Sequence, residues 1–183
     1  FVPFLANELH ERLTGTPAED APWPEPDDTL LDPGVEAAEA QVERLVDDIQ
    51  GIQQSLRNAD EDVPEADPDR IRVAVAADWK HRVFDTVAEV GADQGAVMSE
   101  VMSDPDLRER GNAVNDLVSE LIEFARARDA DELDVLAGLD EAAMYRGAVG
   151  FLSAEFDADV VVTVEADDAG AVPFRPSIDL EAA

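Results

Sequence analysis

The chain has 183 residues, and its 44 acidic side chains against 13 basic ones give a formal net charge of −31 at pH 7. Because it contains no cysteine, the sequence excludes disulfides, thiolate zinc sites and a cysteine nucleophile. Apolar residues make up 45% of the chain and recur with clear periodicity, which favours a folded core over an acidic disordered segment. This length holds one core of ordinary size, or one domain and a piece of another.

The first predicted elements are two helices separated by a loop. Pro3–Thr14 carries leucines at a four-residue spacing that needs a covering partner, which we expect an upstream part of a longer chain to supply. Five prolines between residues 15 and 33 predict the loop. Asp32 then suits an N-cap and Pro33 the first helical position. The second helix has one apolar seam, made of Val35, Ala38, Val42, Leu45, Ile49, Ile52 and Leu56.

After an acidic, proline-containing stretch at residues 58–69, the pattern changes from helices alone to helices and strands. Residues 71–75 alternate as a strand with one buried face, whereas 160–164 are continuously apolar, which predicts a central strand or one covered on both sides. The two strands are expected to share a sheet. The helices predicted between them are Trp79–Val90, one near Ala96–Met102, Asn112–Arg128 and Glu141–Phe156. The predicted class is α+β and mostly helical, with the end of a helical bundle followed by a small module of helices on a short sheet.

No constellation in the sequence predicts a catalytic or metal site. His10 and His81 fall in different predicted domains and are interpreted as surface histidines. Carboxylate pairs occur everywhere by composition, so they carry no signal for acid–base catalysis or a calcium loop. Residues 91–95 lack the lysine and the flanking elements of a nucleotide-binding loop. The sequence has neither an apolar run long enough to cross a membrane nor a basic leader, so a cytoplasmic protein is expected.

The basic residues are scarce, and their placement is therefore informative. Lys80 is the only lysine, and it lies with Arg82 near a predicted helix start. Further basic points are Arg108 with Arg110, Arg126 with Arg128, and Arg175. Guanidinium groups bind RNA phosphates and stack on unpaired bases. The alternative is that these residues serve intramolecular ion pairs, since carboxylates surround every one of them.

Three segments resemble class I aminoacyl-tRNA synthetases. Pro3-Phe4 with Glu8-Leu9, followed by Trp23-Pro24, is similar to the anticodon-binding helical domain of that class. Residues 70–80 (Arg-Ile-Arg-Val-Ala-Val-Ala-Ala-Asp-Trp-Lys) resemble the start of the C-terminal domain of archaeal leucyl-tRNA synthetases. Residues 172–181 look like the closing Pro-x-(Arg/Lys)-Pro-x-Ile run of the same family. Together these matches extend over nearly the whole chain.

The resemblance implies that residues 1–58 end the anticodon-binding domain, 59–69 form an acidic linker, and 70–183 form the C-terminal tRNA-binding domain. Members of the family attach leucine to its tRNA with ATP and Mg²⁺ and hydrolyse mischarged products in a separate domain. The two ATP-binding signatures of class I, His-Ile-Gly-His and Lys-Met-Ser-Lys-Ser, are absent from this sequence. No cofactor is therefore expected in this chain, and the catalytic and editing sites are expected in the remainder of the synthetase.

The expected partners are leucine tRNA, through its long variable arm, and the rest of the synthetase, with no role for DNA or a membrane. The dispersed negative charge is typical of proteins that work in molar KCl, which indicates a haloarchaeal source. Two alternatives stay open: the tail of an isoleucyl, valyl or methionyl enzyme, and an acidic helical module that binds a protein through the Val35–Leu56 seam. The residues expected to contact tRNA are Lys80, Arg82, Arg110, Arg126, Arg128, Arg175, Pro176 and Ile178.

Overall fold

The structure is a computed structural model that describes residues 3–18, 20, 31–59, 63–165 and 170–182, without the side chains of residues 3–6. The chain forms two compact units, Phe1–Leu31 and Asp32–Ala183. In the first unit, helix α1 spans Pro3–Thr14 as predicted and ends before Gly15, whose φ of 82° suits glycine. Most of the predicted proline-rich loop, residues 21–30, lies outside the described residues.

The second unit begins with helix α2 (Pro33–Ala59), and the predicted cap is confirmed because Asp32 Oδ1 accepts a hydrogen bond from the Gly34 N–H at 2.8 Å. A short 3₁₀ turn, Pro64–Ala66, leads to strand β1. The α+β, mostly helical class is confirmed. The remaining elements are β1 (Arg70–Val75), α3 (Asp78–Val90), α4 (Gln94–Val101), α5 (Pro105–Glu109), α6 (Gly111–Arg126), α7 (Ala130–Ala137), α8 (Glu141–Phe156), β2 (Asp159–Val164) and β3 (Ser177–Glu181).

The sheet has the strand order β2-β1-β3, which confirms that the two predicted strands share a sheet. In β1, Val73 pairs with Val162 of the parallel β2 and with Ile178 of the antiparallel β3. The expectation that 160–164 is a central or doubly covered strand was wrong. β2 is an edge strand with Val160 buried and Val161 exposed, because helices cover the sheet on one face and β3 occupies the other side of β1.

Helix α2 packs against the sheet, and this determines where the core lies. Its residues Leu45 and Ile49 are 1% and 0% exposed and share a buried cluster with Ile71 and Val73 of β1 and Tyr145 of α8. The second compact unit therefore begins before α2, at Asp32, whereas the predicted linker at 59–69 follows α2. The assignment of residues 1–58 and 70–183 to two synthetase domains stays a prediction.

A second buried cluster joins α3, α4, α6 and α7. Phe84, Val118 and Leu121 lie at 0–1% exposure, and Phe174 from the segment before β3 inserts into the same cluster. Because this segment is held by a buried ring, it lies in a fixed position beside α3 and α6. In the part of the chain that the structure describes, no helix is long and apolar enough to cross a membrane.

Candidate nucleic-acid interface

The turn that precedes β3 positions Arg175. Val172 and Arg175 exchange backbone hydrogen bonds of 3.1 and 2.8 Å. Between them lie Pro173 and Phe174, whose φ is 60°, and a proline followed by a residue of positive φ is typical of a type II turn. The Phe174 ring is 2% exposed and its centroid lies 5.2 Å from that of Phe84. The buried ring therefore anchors the turn and holds the adjacent arginine at the surface.

Two guanidinium groups share the ring of Phe124 on α6. The Cζ atom of Arg128 lies 3.6 Å from the ring centroid and that of Arg175 lies 5.5 Å from it. Arg128 Nη1 also donates to the Phe124 carbonyl at 3.1 Å, and Arg128 Nε lies 2.9 Å from Glu132 Oε1. Arg175 Nη1 donates to Glu120 Oε1 at 3.2 Å. The side chain of Arg128 is 13% exposed and that of Arg175 is 54% exposed, so Arg175 presents its guanidinium to solvent.

Arg44 on α2 is a third arginine whose charge acts on Arg128, although only Arg128 and Arg175 contact the Phe124 ring. Burial lowers the pKa of Arg128, the Glu132 carboxylate opposes this, and the like charges of Arg44 and Arg175 lower the pKa further. We call Arg44, Arg128 and Arg175 the arginine cluster. Among the described residues, no carboxylate lies within ion-pair distance of Arg44. Sequence reasoning missed this residue because it lies on a helix assigned to the other predicted domain.

The arginine cluster is a positive site on an acidic chain. Its three guanidinium groups are accompanied by two carboxylates in ion-pair contact, Glu120 and Glu132, whereas the whole chain carries a charge of −31. A guanidinium binds phosphate oxygens in a planar, bidentate geometry and also stacks on exposed bases. The cluster can therefore bind a phosphate or an unpaired base of a nucleic acid.

Arg82 and Arg110 form a second pair around Trp79 of α3. Arg110 Cζ lies 5.1 Å from the Trp79 ring, and Arg82 Nη1 donates to Asp104 Oδ2 at 2.7 Å. A cavity of about 290 Å³ lies beside these three side chains. Arg82 and Arg110 surround Trp79, whereas Arg128 and Arg175 lie on the Phe124 ring. The structure thus separates the predicted basic residues into two groups.

Lys80 lies inside the fold. Its side chain is 8% exposed, and its Nζ donates to the Ala171 carbonyl and lies 3.8 Å from Glu165 Oε2. Glu165 in turn accepts hydrogen bonds from the Ala171 N–H at 2.8 Å and from the Ser177 hydroxyl at 2.6 Å. The lysine thus connects α3 to the segment before β3, and its predicted contact with RNA would require the ammonium to leave this site.

The other predicted contact residues lie at or near the surface. Arg126, in the last turn of α6, is exposed, as is Arg108 on α5. Pro176 is half-buried between the turn and β3. Ile178 lies on β3, where it packs partly buried against the sheet cluster. Arg126 is therefore available to a ligand, whereas the side chain of Ile178 is engaged in the core.

The two histidines make different contacts. His10 Nδ1 is hydrogen-bonded to the Thr16 carbonyl oxygen at 2.9 Å within the first unit. His81 Nε2 lies 3.1 Å from Glu141 Oε2 in the second. The described residues contain no group of three or more histidine, aspartate or glutamate side chains arranged to hold a metal ion.

The sequence is similar to a segment of known archaeal enzymes, although no protein-family model matches it. Over 99% of its length it is 31% identical to the leucine–tRNA ligase of Pyrococcus abyssi and 30% identical to that of Pyrococcus furiosus. The leucine–tRNA ligase of Aeropyrum pernix is 31% identical over the same share of the chain. The chain spans 18% of the length of each of these relatives.

Proposed function

Because the chain is homologous over 99% of its length to a segment of archaeal leucine–tRNA ligases, we propose that it is the C-terminal tRNA-recognition portion of such an enzyme. The parent enzyme attaches leucine to its tRNA with ATP and Mg²⁺ in a catalytic body outside this chain. The partners of this portion are then leucine tRNA and the remainder of the synthetase, in the cytoplasm. The observation that carries the proposal is the arginine cluster beside the 172–175 turn.

The cluster suits an irregular RNA surface. Arg175 projects from a rigid turn, Arg128 lies on the Phe124 ring, and Arg44 has no competing carboxylate within ion-pair distance among the described residues. Unpaired nucleotides offer both phosphates and stacking faces to such a group. We assign the contact to the long variable arm of leucine tRNA, met by Arg175 and Arg44 of the cluster together with Arg126 and the backbone at Pro176, while Arg128 supports the site from α6.

The acidic surface is compatible with RNA binding when the salt concentration is high. At about 1 M salt the Debye length falls to roughly 3 Å, so repulsion between the −31 chain and phosphates is screened. Nonspecific phosphate attraction is lost under the same conditions, which leaves stacking, hydrogen bonding and shape fit as the recognition forces. We therefore propose a haloarchaeal source and a binding mode that relies on short-range contacts.

The test is binding of the chain, in molar KCl, to leucine tRNA with and without its variable arm. Arg175→Ala is expected to weaken binding of the intact tRNA about tenfold, the loss of one charged hydrogen-bond pair. Arg146→Ala, at an exposed arginine on α8 outside the cluster, is the matched control and should bind like the unaltered chain. Deletion of the arm should abolish the difference between the two variants.

Equal affinity for both tRNAs would move the contact away from the variable arm and favour another class I synthetase. Equal affinity of the Arg175→Ala and Arg146→Ala variants for intact leucine tRNA would show that the arginine cluster does not contact the tRNA. A folded chain that binds neither tRNA would support the interaction-module alternative.

A further inference from the structure

A cavity lies where the two parallel strands end. Val75 of β1 and Val164 of β2 are the last residues of their strands, and both line a space of about 280 Å³. The first turns of α3 and α8 complete the walls through Asp78 and Glu141. The carboxyl ends of parallel strands, with helices starting beside them, are where α/β sheets commonly bind ligands.

Glu141 is a buried carboxylate without a full set of donors. Its side chain is 0% exposed, and neither carboxylate oxygen accepts a well-aligned hydrogen bond from any described residue. The nearest side-chain nitrogen is His81 Nε2, which lies 3.1 Å from Oε2 and carries a charge only when the ring is protonated. Because a buried carboxyl group is costly unless it is hydrogen-bonded, Glu141 has unused acceptor capacity for N–H donors.

The other walls of the cavity indicate which donors fit. Asp78, Asp85 and Asp140 line the same space, so with Glu141 it holds four carboxylates against one histidine. Burial raises the pKa of Asp85, while the neighbouring His81 lowers it. Such a site repels phosphates and attracts cations. Apolar contacts are supplied by Phe84, Leu136, Leu139, Val75 and Val164.

We propose that this cavity binds an alkylguanidinium or alkylammonium group, with the cationic head on Glu141 and the aliphatic stem against Leu136, Leu139 and Val164. A metal ion fits less well, because the described residues offer no cluster of three ligands. A guanidinium presents several N–H donors in a fork that matches a carboxylate. No member of the arginine cluster lines this cavity, although Phe174 of the 172–175 turn does, and the test below uses no tRNA.

The experiment is a titration of the isotope-labelled chain in molar KCl, followed by NMR. The probes are millimolar n-butylguanidinium, its neutral analogue n-butylurea, and a short blocked peptide with one central arginine. The amide signals of Val75, Ala142 and Val164 should shift with n-butylguanidinium and not with n-butylurea. A response to n-butylguanidinium alone indicates a free small molecule as the ligand, and a response to the peptide as well indicates an arginine side chain.

The variants locate the binding. Glu141→Gln should weaken n-butylguanidinium binding about tenfold or more, whereas Glu155→Gln, an exposed carboxylate on the same helix, should leave it unchanged. Should Glu141→Gln fail to fold, Asp85→Asn, on the partly exposed wall, should weaken binding severalfold by removing one carboxylate. The proposal is overturned if both cationic probes leave the cavity amides unshifted, if n-butylurea binds equally well, or if Glu155→Gln reduces affinity as much as the cavity variants do.

Discussion

The guanidinium of Arg128 lies 3.6 Å from the centroid of the Phe124 ring and donates to the Phe124 backbone carbonyl at 3.1 Å. Arg128 thereby closes the C-terminal end of α6, whose last carbonyls lack partners within the helix. Arg175 lies against the same ring at 5.5 Å but stays more than half exposed. The two arginines on this ring therefore differ in role. Arg128 stabilises the fold, and Arg175 is available to a ligand.

Replacing these two arginines should separate stability from binding. Arg128→Ala removes a largely buried cation–π contact and a charged hydrogen bond, so we expect the free energy of unfolding to fall by about 2 kcal/mol. Arg175→Ala removes an exposed pair with Glu120 and should change it by less than about 0.5 kcal/mol. Urea unfolding in molar KCl measures both values. Equal losses for the two variants would contradict the division of tasks.

Lys80 should behave as a structural residue. Lys80→Met leaves the Glu165 carboxylate, 5% exposed, and the Ala171 carbonyl without their cation, so we expect a loss of about 3 kcal/mol in the free energy of unfolding. Arg82→Met, which removes a pair whose arginine is 46% exposed, is the control and should cost no more than about 1 kcal/mol. The double variant Lys80→Met with Glu165→Gln should regain part of the loss. If the free energy of unfolding of Lys80→Met equals that of the unaltered chain, Lys80 does not stabilise the fold, and its predicted contact with RNA stays possible.

Periodicity predicted most of the helices but not the order of the strands. The alternation at 71–75 and the apolar run at 160–164 were both recognised as strands, yet the alternating one is central. Sheet order depends on which strand β3 joins, and Ser177–Glu181 was interpreted only as a tail that contacts RNA. Its pairing with β1 is a long-range contact that no local pattern specifies.

The position of α2 was also beyond local reasoning. The apolar seam was predicted, but its partner was assigned to a helical bundle, whereas Leu45 and Ile49 pack on the sheet. The same limitation hid Arg44, whose charge acts on Arg128 only after α2 packs beside α8 and α7. Glu141 was missed because burial of one carboxylate among 44 acidic residues has no signature in the sequence.

The packing of α2 on the sheet gives a direct test. Ile49→Ala empties a fully buried position in contact with the β1 cluster, so we expect the free energy of unfolding of the Asp32–Ala183 unit to fall by about 3 kcal/mol. Val35→Ala, at a position 63% exposed on the same helix, should change it by less than about 0.5 kcal/mol. The measurement is urea unfolding followed by circular dichroism. A separate early transition for α2, with the sheet module unaffected by Ile49→Ala, would support the predicted boundary at residues 59–69.

Because of Tyr145, we expect the Asp32–Ala183 unit to lose stability at alkaline pH. It is 1% exposed, and burial first, then the nearby Glu141 carboxylate, raises the pKa of its phenol well above the usual value of about 10. Folding therefore favours the protonated phenol, so its contribution to stability is complete below about pH 10 and is lost as the pH rises towards the folded-state pKa. Because Tyr145 is the only tyrosine, phenolate absorbance reports this group alone. The absorbance should rise together with the loss of helical circular dichroism, and Tyr145→Phe should flatten the decline of stability above pH 10. Phenolate formation near pH 10 in a chain that stays fully folded would show that the phenol is open to solvent.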